Sequence, residues 1–261
     1  MHSVNQINGF QEVLATEKLH SRLGDADYMA VMCHEIGTPL AAIIGLSHII
    51  TDMECSPEKK LECAEMMRDS SAQLMELMKN MLDSARMEAG MTEIEYIDFD
   101  LASVVQEAVN IVASRIEEKG LDLRVHIANK LPPQYVGDPL RIRQILLNLL
   151  SNAVKFTEKG HVSLYVNAKL DRDGNEQLCI TVADTGIGIR EDSLEKIFGK
   201  YVQADASISR KHGGTGLGLH ISQEFARLMN GDIAVKSWLG MGSHFIVTLP
   251  LQKSAALMAM A

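Results

Sequence analysis

The sequence predicts an α + α/β protein, in which an antiparallel helical hairpin forms a dimeric four-helix bundle and an α/β sandwich with a mixed sheet follows. Three observations predict this fold class. Two long segments before Gly90 repeat their apolar residues at helical spacing, the segments after Gly90 alternate between strand and helix patterns, and two strongly alternating strands flank a glycine-containing turn. At 261 residues and 46% hydrophobic content, the chain can bury one large core or two small ones.

The composition excludes several classes of protein. A net charge of -9 argues against nucleic acid as a partner, because phosphate binding needs a basic face. No apolar run approaches the ~18 residues of a membrane span, and no signal peptide is present, so we expect a soluble, cytoplasmic fragment. The four cysteines have no C-x-x-C spacing and are typical of reduced thiols.

The pattern divides the chain into four parts. Residues 1–20 are polar and read as a connecting helix or linker, residues 21–92 as the helical hairpin, residues 93–252 as the α/β domain and residues 253–261 as a disordered tail. The first helix is predicted over about Ser21 to Thr51. Its apolar positions form one buried stripe on a helix: Ile36, Leu40, Ile43 and Ile50.

The second helix is predicted to begin near Pro57, where Ser56 can cap it, and to stop at Gly90. Its stripe is made of Met67, Ser71, Leu74, Met78, Met81 and Ala85, widened by Leu77 and Leu82. One hairpin cannot cover both stripes, whereas two hairpins in a four-helix bundle can, so we expect a homodimer. A ligand groove is the alternative for the methionine stripe, although methionine is a common core filler.

The second domain is predicted to alternate strands and helices, with the helices on one face of the sheet. Strands are predicted over 96–99, 121–127, 161–169, 177–184, 232–237 and 243–250, and helices over 101–118, 139–156 and 215–229.

One histidine of the hairpin is surrounded by residues that could activate it. His34 is followed directly by Glu35, by Thr38 one turn later and by Pro39, which bends a helix. An imidazole is a nucleophile at one nitrogen if a carboxylate takes the proton from the other, as Glu35 could. A His-Glu pair alone is most often a solvated surface pair. Three groups of residues in the second domain favour the reactive interpretation.

The first group lies on the helix predicted over 139–156. Asn148, Asn152 and Lys155 fall on one helical face, while leucines and Val154 occupy the others. Amide oxygens suit magnesium and a lysine neutralises phosphate charge. An isolated polar stripe is usually just solvated, but this one is followed by two glycine loops.

Those glycine loops follow later in the chain. Asp184 precedes Gly186 and Gly188, which let backbone pass close to a flat ligand while the carboxylate accepts from an exocyclic amine. Gly213 to Leu219 opens a helix whose backbone N–H groups can hold phosphate oxygens. Neither the P-loop nor the dinucleotide-binding fingerprint occurs. The polar segment 202–212 reads as a lid, in which Arg210 and Lys211 can reach phosphates.

These residues resemble the catalytic core of a sensor histidine kinase of two-component signalling, over about residues 21–250. The matching segments are His34 to Leu40 for the H-box, Asn148 to Phe156 for the N-box, Asp184 to Gly188 and Gly214 to Gly218 for two glycine boxes, Ile197 to Tyr201 for the phenylalanine box, and Gly240 to Phe245 for the last glycine turn. The order and spacing of these segments argue against a chance match.

The resemblance implies a phosphotransfer bundle followed by an ATP-binding domain like those of gyrase and heat-shock-90 ATPases. It implies ATP and Mg²⁺ as cofactors, His34 as the phosphorylated residue, Glu35 as base, Thr38 as the residue that orients water, and Asn152 as the metal ligand. The implied nucleotide-binding residues are Asn148, Asn152, Lys155, Phe156, Asp184, Gly186, Gly188, Arg210, Lys211, Gly214, Thr215, Gly216, Leu217 and Gly218.

Two departures from the family pattern stand out. Gly37 occupies a position where the family usually has Arg or Lys, and a helical glycine costs about 1 kcal/mol relative to alanine, which favours a more flexible site or an altered balance of activities. In the phenylalanine box, Tyr201 replaces the second Phe and Gly199 stands where Glu is common, which predicts a looser lid.

The sequence therefore predicts ATP-dependent phosphorylation of His34 and transfer to an aspartate of a response regulator receiver domain. Since no receiver-like sequence follows Pro250, that regulator is expected to be a separate protein, and the signal to come from an upstream sensor domain missing from this chain. The alternatives are a phosphatase of the phosphorylated regulator and a nucleotide-binding dimeric scaffold. His48, two heptads after His34, lacks the Glu-x-x-Thr pattern and reads as a solvated histidine.

Overall fold

The computed structural model describes residues 32–33, 35–52, 55–170, 174–200, 202 and 216–253. The predicted linker, the start of the first helix and the tail beyond Lys253 lie outside these residues. The chain divides into two compact units, one up to Lys79 and one from Asn80 onward. Most contacts of each unit are made within that unit.

The hairpin consists of two helices. The first, α1, is helical at residues 32–33 and 35–51, and the second, α2, spans Pro57–Glu88. The Ser56 hydroxyl oxygen accepts a hydrogen bond from the backbone N–H of Lys59 at 3.3 Å, so it caps the start of α2. Gly90 has a φ of +64°, the left-handed conformation that commonly follows a helix end. The predicted second helix is confirmed to within two residues at each end.

In the single chain, only part of the predicted α2 stripe is buried. Within a single chain, the buried or half-buried residues of the stripe repeat at spacings of three and four: Cys63, Met67, Ser70, Leu74, Leu77, Met81 and Ser84. Three predicted members, Ser71, Met78 and Ala85, are exposed, as are Leu82 on α2 and Leu40 on α1. Apolar periodicity predicts which positions of a helix are buried. It does not tell whether a helix of the same chain or a second chain buries them.

After the end of α2, the second unit continues with strand β1, Ile97–Asp100, and helix α3, Leu101–Glu118. Strands β2, Asp122–Ile127, and β3, Gln134–Gly137, follow, and then helix α4, Pro139–Phe156. An aspartate caps each helix: Asp100 accepts from the backbone N–H of Ala102 and Asp138 from that of Arg141. Both helices have the predicted bounds.

The rest of the unit is mostly strand. It contains β4, His161–Leu170; β5, Glu176–Asp184; a 3₁₀ turn, Glu191–Ser193; helix α5, Gly218–Leu228; β6, Asp232–Trp238; β7, Gly242–Leu249; and β8, Gln252–Lys253. The helix predicted over 215–229 begins later, at Gly218. Gly216 has a φ of +66°, which a right-handed helix does not allow, and Leu217 precedes the first helical residue.

The strands form two sheets. The five-stranded sheet has the order β2-β4-β5-β7-β6, with β2 and β4 parallel and the other pairs antiparallel, which confirms the predicted mixed sheet. A second sheet of order β1-β3-β8 was not predicted. Its strands β3 and β8 are only four and two residues long, too short to carry a detectable alternation.

The core lies between the larger sheet and the helices. The central strands bury every second residue on one face: Val162, Leu164, Val166, Leu178, Ile180, Val182, Phe245, Val247 and Leu249. Helices α3, α4 and α5 cover this face with their own apolar residues. Asp184 ends β5 and Gly242 begins β7. Because these two central strands are antiparallel neighbours, the two residues lie at the same end of the sheet. No helix within the described ranges is long and apolar enough to cross a membrane.

Candidate nucleotide-binding site

Helix α4 presents the predicted polar face. Asn148, Asn152 and Lys155 are half-buried, whereas the opposite face is fully buried through residues such as Leu149 and Val154. Because the apolar face of α4 packs into the core, its polar face lies at the core's margin. The amides of Asn148 and Asn152 and the Lys155 ammonium are therefore partly exposed.

The two amides are linked to each other and to α5. The Asn148 Nδ2 group donates to the Ser222 hydroxyl oxygen at 2.8 Å, and the Asn152 Nδ2 group donates a longer bond of 3.4 Å to Asn148 Oδ1. Gly218, at the start of α5, lies against the same amide, because a Cβ added to it would be 2.3 Å from Asn148 Oδ1. Any larger residue at position 218 would displace this side chain.

Asp184 lies at the end of β5 and is only 7% exposed. Its Oδ1 accepts from the backbone N–H of Gly186 at 2.8 Å and from that of Ser243 at 3.3 Å. Burial raises the pKa of this carboxyl above its ordinary value of 3.8, while the two N–H donors and the charge of His244 act in the opposite direction. Among the residues that the structure describes, none donates to Oδ2, so this oxygen can accept from a ligand.

Glycine is required where the loop after Asp184 passes its neighbours. A Cβ on Gly186 would be 2.4 Å from the carbonyl oxygen of Phe156. Gly188 has a φ of +68°, and a Cβ there would be 2.1 Å from the carbonyl oxygen of Trp238. The loop therefore packs backbone to backbone between the end of α4 and the turn after β6, and these contacts by themselves require glycine at both positions.

The end of α4 joins this loop directly. The backbone N–H of Ile187 donates to the carbonyl oxygen of Phe156 at 3.3 Å. The Lys155 ammonium lies 4.8 Å from the centroid of the Phe156 ring, within the range of a cation–π interaction. The N-box residues and the first glycine box thus form one continuous edge of the second unit.

The phenylalanine box is partly described. Ile197 is buried, and the Phe198 ring meets the Phe245 ring edge-on, with centroids 6.5 Å apart. The Phe198 carbonyl oxygen lies 3.0 Å from His220 Nδ1 on α5. A Cβ on Gly199 would be 2.8 Å from the Val202 side chain, so the glutamate that the resemblance leads us to expect here does not fit this backbone without movement.

Several predicted site residues lie outside the described residues: His34, Tyr201, Arg210, Lys211, Gly214 and Thr215. Gly216 and Leu217 are described, directly before α5, and Leu217 is fully buried. On α1, Glu35 is half-buried and Thr38 is exposed, three residues apart and hence on neighbouring parts of one face. Gly37 is exposed, and a Cβ there would meet no described atom within 4 Å.

Two family models match the chain. Residues 26–90 match the His Kinase A phospho-acceptor domain, and residues 137–253 match the histidine kinase-, DNA gyrase B- and HSP90-like ATPase domain. The chain belongs to the sensor histidine kinases. The resemblance expected from the sequence motifs is therefore confirmed.

Individual histidine kinases are similar over most of this chain. The signal transduction histidine-protein kinase BarA of Escherichia coli K12 is 39% identical over 220 residues, which are 84% of this chain and 24% of BarA. The structure of full-length ShkA in complex with AMPPNP has a TM-score of 0.65 at 30% identity, covering 88% of this chain and 46% of that one. The complex of ThkA with the response regulator TrrA has a TM-score of 0.62 at 22% identity, covering 91% and 64%. This histidine kinase sequence thus spans about a quarter of the BarA chain.

The donor set of the histidine kinase site fits Mg²⁺ bound together with a nucleotide. Mg²⁺ takes oxygen ligands, keeps several waters and is often bridged to phosphates with only one or two protein groups. Asn152 can offer an amide oxygen, since its Nδ2 is directed to Asn148 Oδ1, and the absence of a Cβ at Gly218 lets α5 lie directly against the Asn148 amide. When bound, the ion would offset phosphate charge.

Sequence reasoning missed three groups at this site. Ser243 was quoted only as part of a glycine turn, yet its backbone N–H holds Asp184. Ser222 belongs to no motif and holds Asn148. The Ser237 hydroxyl accepts from the backbone N–H of Ile189 at 2.8 Å and so ties the first glycine loop to β6. The glycine turn was the one sequence signal near Ser243. Nothing in the sequence indicated Ser222 or Ser237.

Proposed function

We propose that this chain transfers the γ-phosphoryl group of ATP to His34 and then to an aspartate on a response regulator receiver domain. The observation that carries the proposal is that one chain joins a phospho-acceptor domain, with His34 inside the matched range, to an ATPase-type nucleotide domain. The AMPPNP complex of ShkA and the regulator complex of ThkA support the nucleotide and the partner by analogy.

In the first step, one imidazole nitrogen of His34 forms a bond to the γ-phosphorus as the bond to the bridging oxygen of ADP breaks. The proton on the other imidazole nitrogen passes to Glu35, the adjacent carboxylate. In the second step, the phosphorus–nitrogen bond breaks as a receiver aspartate oxygen bonds to phosphorus. Positioning supplies most of the catalysis in such transfers, because the protein forms few covalent bonds itself.

The second unit supplies the nucleotide site in this proposal. Asp184 Oδ2 would accept from the exocyclic amine of adenine, and the ionised carboxylate is the stronger acceptor for this bond. Asn152 would hold Mg²⁺, and Asn148 and Lys155 would face the phosphates. Mg²⁺ would lower the cost of charge on the transferred group. Arg210 and Lys211 would complete the phosphate contacts from the lid.

We also propose a homodimer formed by the hairpin. Five large apolar residues on α2 are between 49 and 67% exposed in the single chain, and all of them except Met66 lie on one face: Leu61, Met75, Met78 and Leu82. These residues, called here the outer stripe, fall at spacings of fourteen, three and four, which is one face of a helix. A second hairpin packed against the outer stripe would remove it from water and complete a four-helix bundle.

The test is autophosphorylation with γ-labelled ATP and Mg²⁺, comparing the chain with His34→Gln and with His48→Gln. His48 is an exposed histidine on the same helix and is the matched control. We expect acid-labile, base-stable label in the unaltered chain and in His48→Gln, and none in His34→Gln. Nucleotide binding without label in any of the three would contradict the kinase proposal and favour the phosphatase or scaffold alternatives, which dephosphorylation of a labelled receiver would separate.

A further inference from the structure

Ser222 is a buried polar residue on α5 with a direct link to the proposed nucleotide site. It is 2% exposed, one turn after Gly218, on the side of α5 that packs against α4. A hydroxyl at such a position costs free energy unless it is hydrogen-bonded. Its oxygen accepts from Asn148 Nδ2 at 2.8 Å, so the hydroxyl has a partner on the helix that carries the N-box.

This hydrogen bond is the first of two that hold the Asn148 amide. The nitrogen is directed to Ser222, and the oxygen accepts from Asn152 Nδ2 at 3.4 Å. The oxygen also lies where the missing side chain of Gly218 leaves room, 2.3 Å from the position of an added Cβ. With one end bonded to Ser222 on α5 and the other to Asn152 on α4, the Asn148 side chain has a fixed position between the two helices.

Asn152 is the next side chain in this series. Because its Nδ2 is used as the donor to Asn148, its Oδ1 is the end left for a ligand. A cation requires that arrangement, since Mg²⁺ binds oxygen and an amide N–H would repel it. Three side chains on two helices, Ser222, Asn148 and Asn152, thus form a chain of hydrogen bonds, and no described residue donates to the Asn152 Oδ1 at its end.

We propose that Ser222 is a positioning residue for the Mg²⁺–nucleotide site: through Asn148, it holds the side chain of Asn152 in place beside the cation. This inference rests on the proposed function, because it needs Asn152 to meet Mg²⁺. A merely structural role predicts something different. In that case, loss of the hydroxyl would lower stability and weaken nucleotide binding equally with and without Mg²⁺.

The test compares Ser222→Ala with Ser222→Thr, which keeps a hydroxyl, and with Ser114→Ala, the removal of an exposed hydroxyl on α3. The probe is ADP, and its dissociation constant is measured by calorimetry on the whole chain in excess Mg²⁺ and in chelator. The readout is the factor by which Mg²⁺ tightens ADP binding. We expect Ser222→Ala to reduce that factor about 10-fold, the loss of about one good hydrogen bond or metal contact, with little change in chelator.

Ser222→Thr should restore the factor and Ser114→Ala should leave it unchanged. If Ser222→Ala is too unstable to measure, Ser222→Cys replaces it, because sulfur keeps the volume but is a weak acceptor. An unchanged factor in Ser222→Ala or Ser222→Cys, while the unaltered chain shows a clear one, would overturn this inference alone. A chain whose ADP binding is indifferent to Mg²⁺ would overturn the proposed metal site as well.

Discussion

The Lys119 ammonium donates a 2.6 Å hydrogen bond to the carbonyl oxygen of Val154, in the last turn of α4. The same group donates to the carbonyl oxygens of Lys155 and Thr157 at 3.2 and 3.3 Å. The final carbonyls of a helix have no partner within the helix, and the helix dipole favours a positive charge there. A residue at the end of α3 therefore caps the helix that carries the proposed phosphate-binding amides.

Removing this cap should destabilise the second unit. We expect Lys119→Met to lower its free energy of unfolding by about 1 kcal/mol, because three carbonyls lose a charged donor and the helix end loses a favourable charge. Trp238 is the single tryptophan and lies in this unit, so its fluorescence during urea unfolding reports on it. Lys130→Met, at an exposed turn, is the control, and equal midpoints for the two variants would contradict the capping role.

The raised pKa of Asp184 predicts a pH-dependent effect of Asp184→Asn. The folded state holds this proton more tightly than the unfolded chain, so the carboxyl costs stability as pH rises from its ordinary pKa of 3.8 to its folded pKa. Asn keeps an oxygen for the two backbone donors but does not titrate. The free energy of unfolding of the variant minus that of the unaltered chain should therefore rise with pH across this window and then level off.

Urea unfolding followed by Trp238 fluorescence at pH values from about 3 to about 7 measures that difference. A difference that is constant with pH would contradict the raised pKa. The same variant should bind ADP at least about 10-fold more weakly at neutral pH, because an amide presents a donor where the adenine amine needs an acceptor. Unchanged ADP affinity would argue against adenine recognition by Asp184.

Gly37 predicts a stabilising substitution beside the proposed phospho-acceptor. A Cβ at this position meets no described atom, and the residue is helical, so Gly37→Ala should stabilise the first unit by about 1 kcal/mol through the lower entropy of the unfolded chain. Gly45→Ala, also in open space on α1, should do the same two turns away. Thermal unfolding followed by far-UV circular dichroism measures both.

Comparing the two glycine variants also separates helix stability from the chemistry at His34. We expect Gly45→Ala to leave the autophosphorylation rate unchanged and Gly37→Ala to alter it, since only Gly37 lies within one turn of Glu35 and Thr38. Equal rates in all three proteins would show that the departure at Gly37 has no bearing on catalysis.

The outer stripe predicts the oligomeric state of a further variant. Met78→Glu places a charge at the middle of the proposed bundle interface, where its desolvation is unfavourable, and should convert dimers to monomers in sedimentation experiments. Gln73→Glu adds the same charge at another exposed position of α2 and should remain dimeric. A dimer that survives Met78→Glu would exclude the outer stripe as the interface.

The sequence by itself determined the elements whose signals are local. Helices α3 and α4 have the predicted bounds because an aspartate cap and a long apolar period are readable from neighbouring residues. The histidine kinase motifs identified the family for a similar reason, since their order along the chain needs no knowledge of contacts.

Only the tertiary structure decided which groups meet. Strands β3 and β8 form a sheet because distant segments pair, and α5 begins at Gly218 because Gly216 adopts a left-handed conformation. Asp184 is held by the backbone of Ser243, and the Asn148 amide by the Ser222 hydroxyl, across separations of 59 and 74 residues. Such bonds depend on how helices and strands pack, and a single sequence carries no periodic signal for a partner so far along the chain.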